Sequence, residues 1–119
     1  MSDEFIKVAT REINDELAGI TSILDTCSND QDIVKNSNKI EQHMHKIKGL
    51  APMMGKENIG NLAKILDSIL KKIASGQTIY GFYEPLLNST TQMTIAINKP
   101  HDLSEIHKQV SDIASKIFD

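Results

Sequence analysis

The chain has one cysteine, Cys27, so no internal disulfide can form, and a reducing, cytoplasmic setting is expected. It has no apolar run approaching the roughly 20 residues of a membrane span. The opening Met-Ser-Asp-Glu lacks the basic and apolar regions of a leader peptide. The glycines at 49, 55, 60, 76 and 81 form neither a P-loop nor a GxGxxG turn, so self-contained use of ATP is not expected. No serine is flanked by glycines as a nucleophile would be, and Cys27 sits in a turn with no basic neighbour. Nucleophilic hydrolysis is therefore disfavoured. Repeats, low-complexity segments and internal linkers are absent too.

What remains is 119 residues with strongly periodic apolar positions, expected to form a single domain spanning 1–119 with one core. The net charge of −3 argues against a general nucleic-acid binder, but its distribution is uneven. Residues 1–42 hold 9 acids against 4 bases, whereas residues 43–72 hold 6 lysines against Glu57 and Asp67. Such an arrangement is either a set of solvated helix faces or a docking surface for an acidic partner, where opposite charge speeds encounter.

The periodicity predicts helices throughout. Phe5, Val8, Ile13, Leu17, Ile20 and Leu24 mark a first helix over 3–26, closed by the turn formers of TCSNDQ. Asp30 or Asp32 is the expected cap of a second helix over about 32–54. Its seam is Ile33, Ser37, Ile40, Met44, Ile47, Ala51 and Met54; Pro52 lies in its last turn, and Gly55 fits the left-handed position after it. A third helix over 57–74 carries Ile59, Leu62, Leu66, Ile69 and Ile73, and the short connection makes it an antiparallel hairpin with the second. TIYGFY at 78–83 has no second strand to pair with and is expected to be a loop packing its aromatics inward. A fourth helix over 84–98 turns Leu86, Leu87, Met93 and Ile97 inward. Asp102-Leu103-Ser104-Glu105 opens a last helix that buries Leu103, Ile106, Val110, Ile113 and Ile117. The expected fold is all-α: an antiparallel four-helix bundle with a fifth, C-terminal helix.

One histidine stands out. His45 falls about 140° from Ile40 around the second helix, away from its seam. Lys48 and Gly49 follow at i+3 and i+4, on the same face. An interior helix glycine costs about 1 kcal/mol relative to alanine, and on an outer face the core does not ask for one. An exposed neutral imidazole can attack a phosphoryl group. The lysine can offset the arriving charge, and the bare glycine lets a partner close over the ring. His43 and His45 face about 200° apart and cannot share an ion, and no ligand-spaced cluster accompanies His101 or His107. No metal site is expected, and His43 and His107 are read as flank or surface residues.

HKIKGLAPMMG at 45–55 resembles the His-x-x-Lys-Gly…Gly signature of histidine-phosphotransfer (HPt) domains. More narrowly, the chain is similar to the N-terminal phosphotransfer domain of CheA-type chemotaxis histidine kinases, from the acidic first helix through the third-helix pattern GKENIGNLAKILDSILKKIASG. The resemblance implies that His45 is the phosphorylated residue, through its outer ring nitrogen, with Lys48 as charge partner and Gly49 as clearance. It places Asp67 where the family has a glutamate that hydrogen-bonds the inner nitrogen, and aspartate is one methylene shorter. Lys64 falls where some members carry a second histidine, within reach of the same network. The implied activity is a phosphoryl carrier in two-component or phosphorelay signalling, not an enzyme on its own and with no cofactor of its own. ATP would sit on a histidine kinase catalytic domain, and Mg2+ on a response-regulator receiver domain. Two rivals are a helical adaptor that binds signalling partners without chemistry and a metal-binding bundle.

Overall fold

The computed structural model describes residues 2–118; Met1 and Asp119, the ends of the expected 1–119 domain, lie outside them. Five helices follow one another: α1 Asp3–Leu24, α2 Asp30–Met53, α3 Glu57–Ala74, α4 Tyr83–Asn98 and α5 Ser104–Phe118. The described residues contain no strand, so the chain is all-α. Its radius of gyration is 13.6 Å, close to the ~13.5 Å expected of a compact chain this long. Among the described residues, no helix is long and apolar enough to cross a membrane.

The α2 and α3 seams pack as the periodicity requires. Ile33, Ser37, Ile40, Met44, Ile47, Ala51 and Met54 are all buried, and so are Ile59, Leu62, Leu66, Ile69 and Ile73. These two helices share the largest interface in the molecule. Their connection turns at Gly55, whose φ of 80° lies in the left-handed region. A Cβ at Gly60 would come 2.7 Å from the Pro52 ring. Because α2 residue 52 meets α3 residue 60 while residue 45 meets 67, the hairpin is antiparallel. The α1 helix packs on α2 and α4, and α5 lies against α3 and α4.

Four local expectations are corrected. Ile113 and Ile117 of α5 are only partly buried against the core. Val8 is 51% exposed and Ala9 holds the buried position at 2%, because Val8 lies about 140° from Ile13 around α1. The α2 N-cap is Asn29, whose Oδ1 accepts from Asp32 N–H, while Asp32 Oδ2 accepts from Ser28 N–H. Asp30 instead reaches across the molecule: its carboxylate accepts from the backbone N–H groups of Gly81, Phe82 and Tyr83 at 2.7–3.0 Å. It thereby satisfies donors at the start of α4, which has no side-chain cap from its own Phe82. In the 78–83 loop, Ile79 and Phe82 are buried and Tyr83 donates to the Cys27 carbonyl, but Tyr80 is 84% exposed.

Candidate functional site

The site is built on the α2–α3 hairpin. His45 projects from the outer side of α2, with its side chain 56% exposed. Across the hairpin, Asp67 has a side chain only 1% exposed, although it is charged. Its Oδ2 stands 3.2 Å from His45 Nδ1, so the aspartate reaches the ring directly despite its shorter side chain. A carboxylate accepts, so the neutral ring carries its proton on Nδ1 and keeps its lone pair on Nε2. Nε2 has no hydrogen-bond partner among the described residues.

The same Asp67 oxygen is approached by two ammonium groups, Lys48 Nζ and Lys71 Nζ, each at 3.3 Å. Burial alone pushes the Asp67 carboxyl up. Hydrogen bonds from Glu41 and His45 and the charge of Lys71 outweigh it and hold the group below the usual carboxylate range. Glu41, one turn before His45 on α2, has its Oε2 3.7 Å from Nδ1. A hydrogen bond to Asp67, then burial and the like charge of Asp67, hold Glu41 above the usual range. Asp67 Oδ1 is buried with no hydrogen-bond partner among the described residues, so a hydrogen bond between the two acids requires a proton on Glu41. Two facing carboxyls in that position favour sharing one proton.

The structure therefore brings His45, Lys48 and Asp67 together as the sequence suggests, and adds Glu41 and Lys71. Glu41 had a legible signal in its i,i+4 spacing to His45. Lys71 had the same relation to Asp67. Gly49 is exposed, and a Cβ built on it meets nothing within 4 Å. No packing inside the chain demands a glycine there. Lys64 stands outside the cluster: it makes no hydrogen bond or ion pair to His45, Asp67 or Glu41 among the described residues. It lines a groove of about 380 Å³ between α3 and α5 with Ile65, His107 and Phe118.

His43 is not an idle flank residue. Its Nδ1 lies 2.7 Å from Glu16 Oε1 on α1, with Lys46 3.7 Å from the other Glu16 oxygen. Burial raises Glu16, but the His43 and Glu12 hydrogen bonds and Lys46 bring it below its usual range. The imidazole lies over Gly19, where a Cβ would be 2.6 Å from its Cε1 and 2.8 Å from its Nε2. The outer nitrogen of His43 is thus pressed against α1, while that of His45 is free. This difference separates a ring packed between two helices from one whose outer nitrogen has no partner among the described residues. His45, Glu41 and Asp67 also offer three metal-ligand atoms within 4.8 Å of one another.

No protein-family model, curated protein or solved structure matches this chain.

Proposed function

We propose that this protein is a phosphoryl carrier of the histidine-phosphotransfer type, acting in cytoplasmic two-component or phosphorelay signalling and closest in kind to chemotaxis kinase phosphotransfer domains. The helix contacts support the corresponding fold reading: α1–α2, α2–α3, α3–α4 and α4–α1 interfaces close a ring of four, with α5 docked on α3 and α4. The observation that carries the functional reading is the pairing of an exposed His45 with a buried Asp67 on its inner nitrogen.

In this reading the His45 Nε2 lone pair attacks the phosphorus of a donor, either ATP held by a histidine kinase catalytic domain or an aspartyl phosphate. The N–P bond forms as the P–O bond breaks, and the electron pair leaves with ADP or the donor carboxylate. The ring gains positive charge as the bond forms, and the fixed carboxylate of Asp67 offsets it at no cost in reorganisation. Lys48 sits one turn along and can turn from Asp67 to the incoming phosphoryl oxygens. Gly49 leaves room for the partner's active site. In the second half-reaction the carboxylate of a receiver-domain aspartate attacks the phosphorus, and the pair returns to Nε2. The partners supply ATP, Mg2+ and catalytic power; this chain supplies an oriented nucleophile.

The test is incubation with a histidine kinase catalytic domain and labelled ATP, comparing wild type with His45→Gln. Acid-labile, alkali-stable label on wild type and none on the variant is expected. Undiminished label on the variant would remove His45 from the role. No label on a wild type that still binds the kinase would favour the adaptor.

A further inference from the structure

We propose that Glu41, His45 and Asp67 also form a binding site for a divalent transition-metal ion of the Zn2+ class, with His45 Nδ1 and one oxygen of each carboxyl as ligands. The three ligand atoms lie within 4.8 Å of one another. Nδ1 is 3.2 Å from Asp67 Oδ2 and 3.7 Å from Glu41 Oε2. Ligands held at about 2.0–2.2 Å from a tetrahedral ion are roughly 3.3–3.6 Å apart. Side-chain shifts of a few tenths of an ångström bring these two edges into range.

A second observation points the same way. Asp67 is almost wholly buried, yet its Oδ1 has no hydrogen-bond partner among the described residues. A buried carboxylate oxygen without a partner calls for a proton or a cation, and leaving it bare is costly. One imidazole nitrogen with two carboxylate oxygens suits Zn2+ and its first-row neighbours. Mg2+ and Ca2+ prefer oxygen-only sets. Glu41 and His45 stand at i and i+4 on one helix, which fixes their separation, and the exposed face of His45 gives the ion a way in. Lys48 and Lys71 oppose it through Asp67 Oδ2. Both are long and partly exposed, so they can swing into water, and the affinity is expected to be moderate.

The consequence rests on the carrier reading. A metal on Nδ1 takes that nitrogen's lone pair, and the proton it carried passes through solvent to Nε2. The nitrogen that must attack phosphorus then has no lone pair to offer. Metal binding and phosphorylation exclude each other at this ring.

The metal-free chain titrated calorimetrically with zinc chloride is expected to bind one ion. Glu41→Gln and His45→Gln should each weaken binding at least tenfold, whereas His43→Gln, in the separate Glu16 cluster, should leave it unchanged. Nitrogen-15 NMR of the His45 ring should show the metal on Nδ1 and the proton on Nε2. Absence of saturable binding, unchanged affinity in Glu41→Gln, or metal on Nε2 would overturn the site. Saturating zinc should also abolish phosphorylation of His45 by phosphoramidate. Equal phosphorylation with and without zinc overturns the exclusion and leaves the carrier standing. Failure of the metal-free protein to accept phosphate removes the carrier and leaves the zinc measurement intact.

Discussion

Gly60 of α3 lies so close against Pro52 of α2 that a Cβ on it would stand 2.7 Å from the proline Cγ and 2.9 Å from its Cδ. The proline ring cannot rotate away, so the two helices would have to separate. Gly60→Ala is therefore expected to destabilise the protein by about 1–3 kcal/mol, seen as a lower urea midpoint at unchanged slope. Gly19→Ala should cost less, because the His43 ring that it meets can swing out by giving up Glu16.

Gly49 behaves in the opposite way. Alanine there meets nothing within the chain and should stabilise the helix by about 0.5–1 kcal/mol. If the glycine serves a partner's approach, the same variant should accept and donate phosphoryl groups more slowly. A stabilised variant with undiminished transfer would show that the bare position has no part in docking.

Asp30 joins the start of α2 to the start of α4 through three backbone N–H groups. Asp30→Ala leaves those donors without their acceptor and is expected to cost about 2 kcal/mol. Hydrogen exchange at residues 81–83 should accelerate ahead of the rest of the molecule. Exchange unchanged at those amides would mean that water replaces the carboxylate without loss.

The acid pair at the site sets a pH dependence. Asp67 is held below its ordinary range in the folded protein. Its contribution to stability is thus present above the unfolded value of about 3.9 and is lost as pH falls through the lower folded value. Glu41 is held above its range, so its contribution is present at low pH and is lost as pH rises through the folded value. Asp67→Asn should destabilise at pH 7 by about 1–3 kcal/mol and should remove part of the acid-induced loss. Glu41→Gln should flatten the loss on the rising side. Denaturant titrations of the three proteins from pH 3 to 8 measure both effects.

Much of this was legible in the chain. Periodicity marks the α2 and α3 seams, and an off-seam histidine followed by lysine and glycine marks the exposed face. Legibility fails where a residue's partner is far away in sequence. Asp30 reads locally as a cap for its own helix, and nothing nearby shows that its acceptors serve residues 81–83. Glu41 has a visible one-turn relation to His45. Its raised carboxyl, however, comes from Asp67, which only the hairpin register brings beside it. At Val8 the pattern is ambiguous, because Val8 and Ala9 are both apolar and the larger side chain falls off the stripe. Tyr80 and Phe82 belong to one aromatic segment, and only the turn between them decides that one is buried and the other is not.

The most direct test is the position of phosphorus in the kinase-phosphorylated protein, read by heteronuclear NMR from its coupling to ring nitrogen. One phosphohistidine, at Nε2 of His45 with the proton retained on Nδ1 beside Asp67, is the expected result. Phosphorus on Nδ1 of His45, or on His43, His101 or His107, would contradict it.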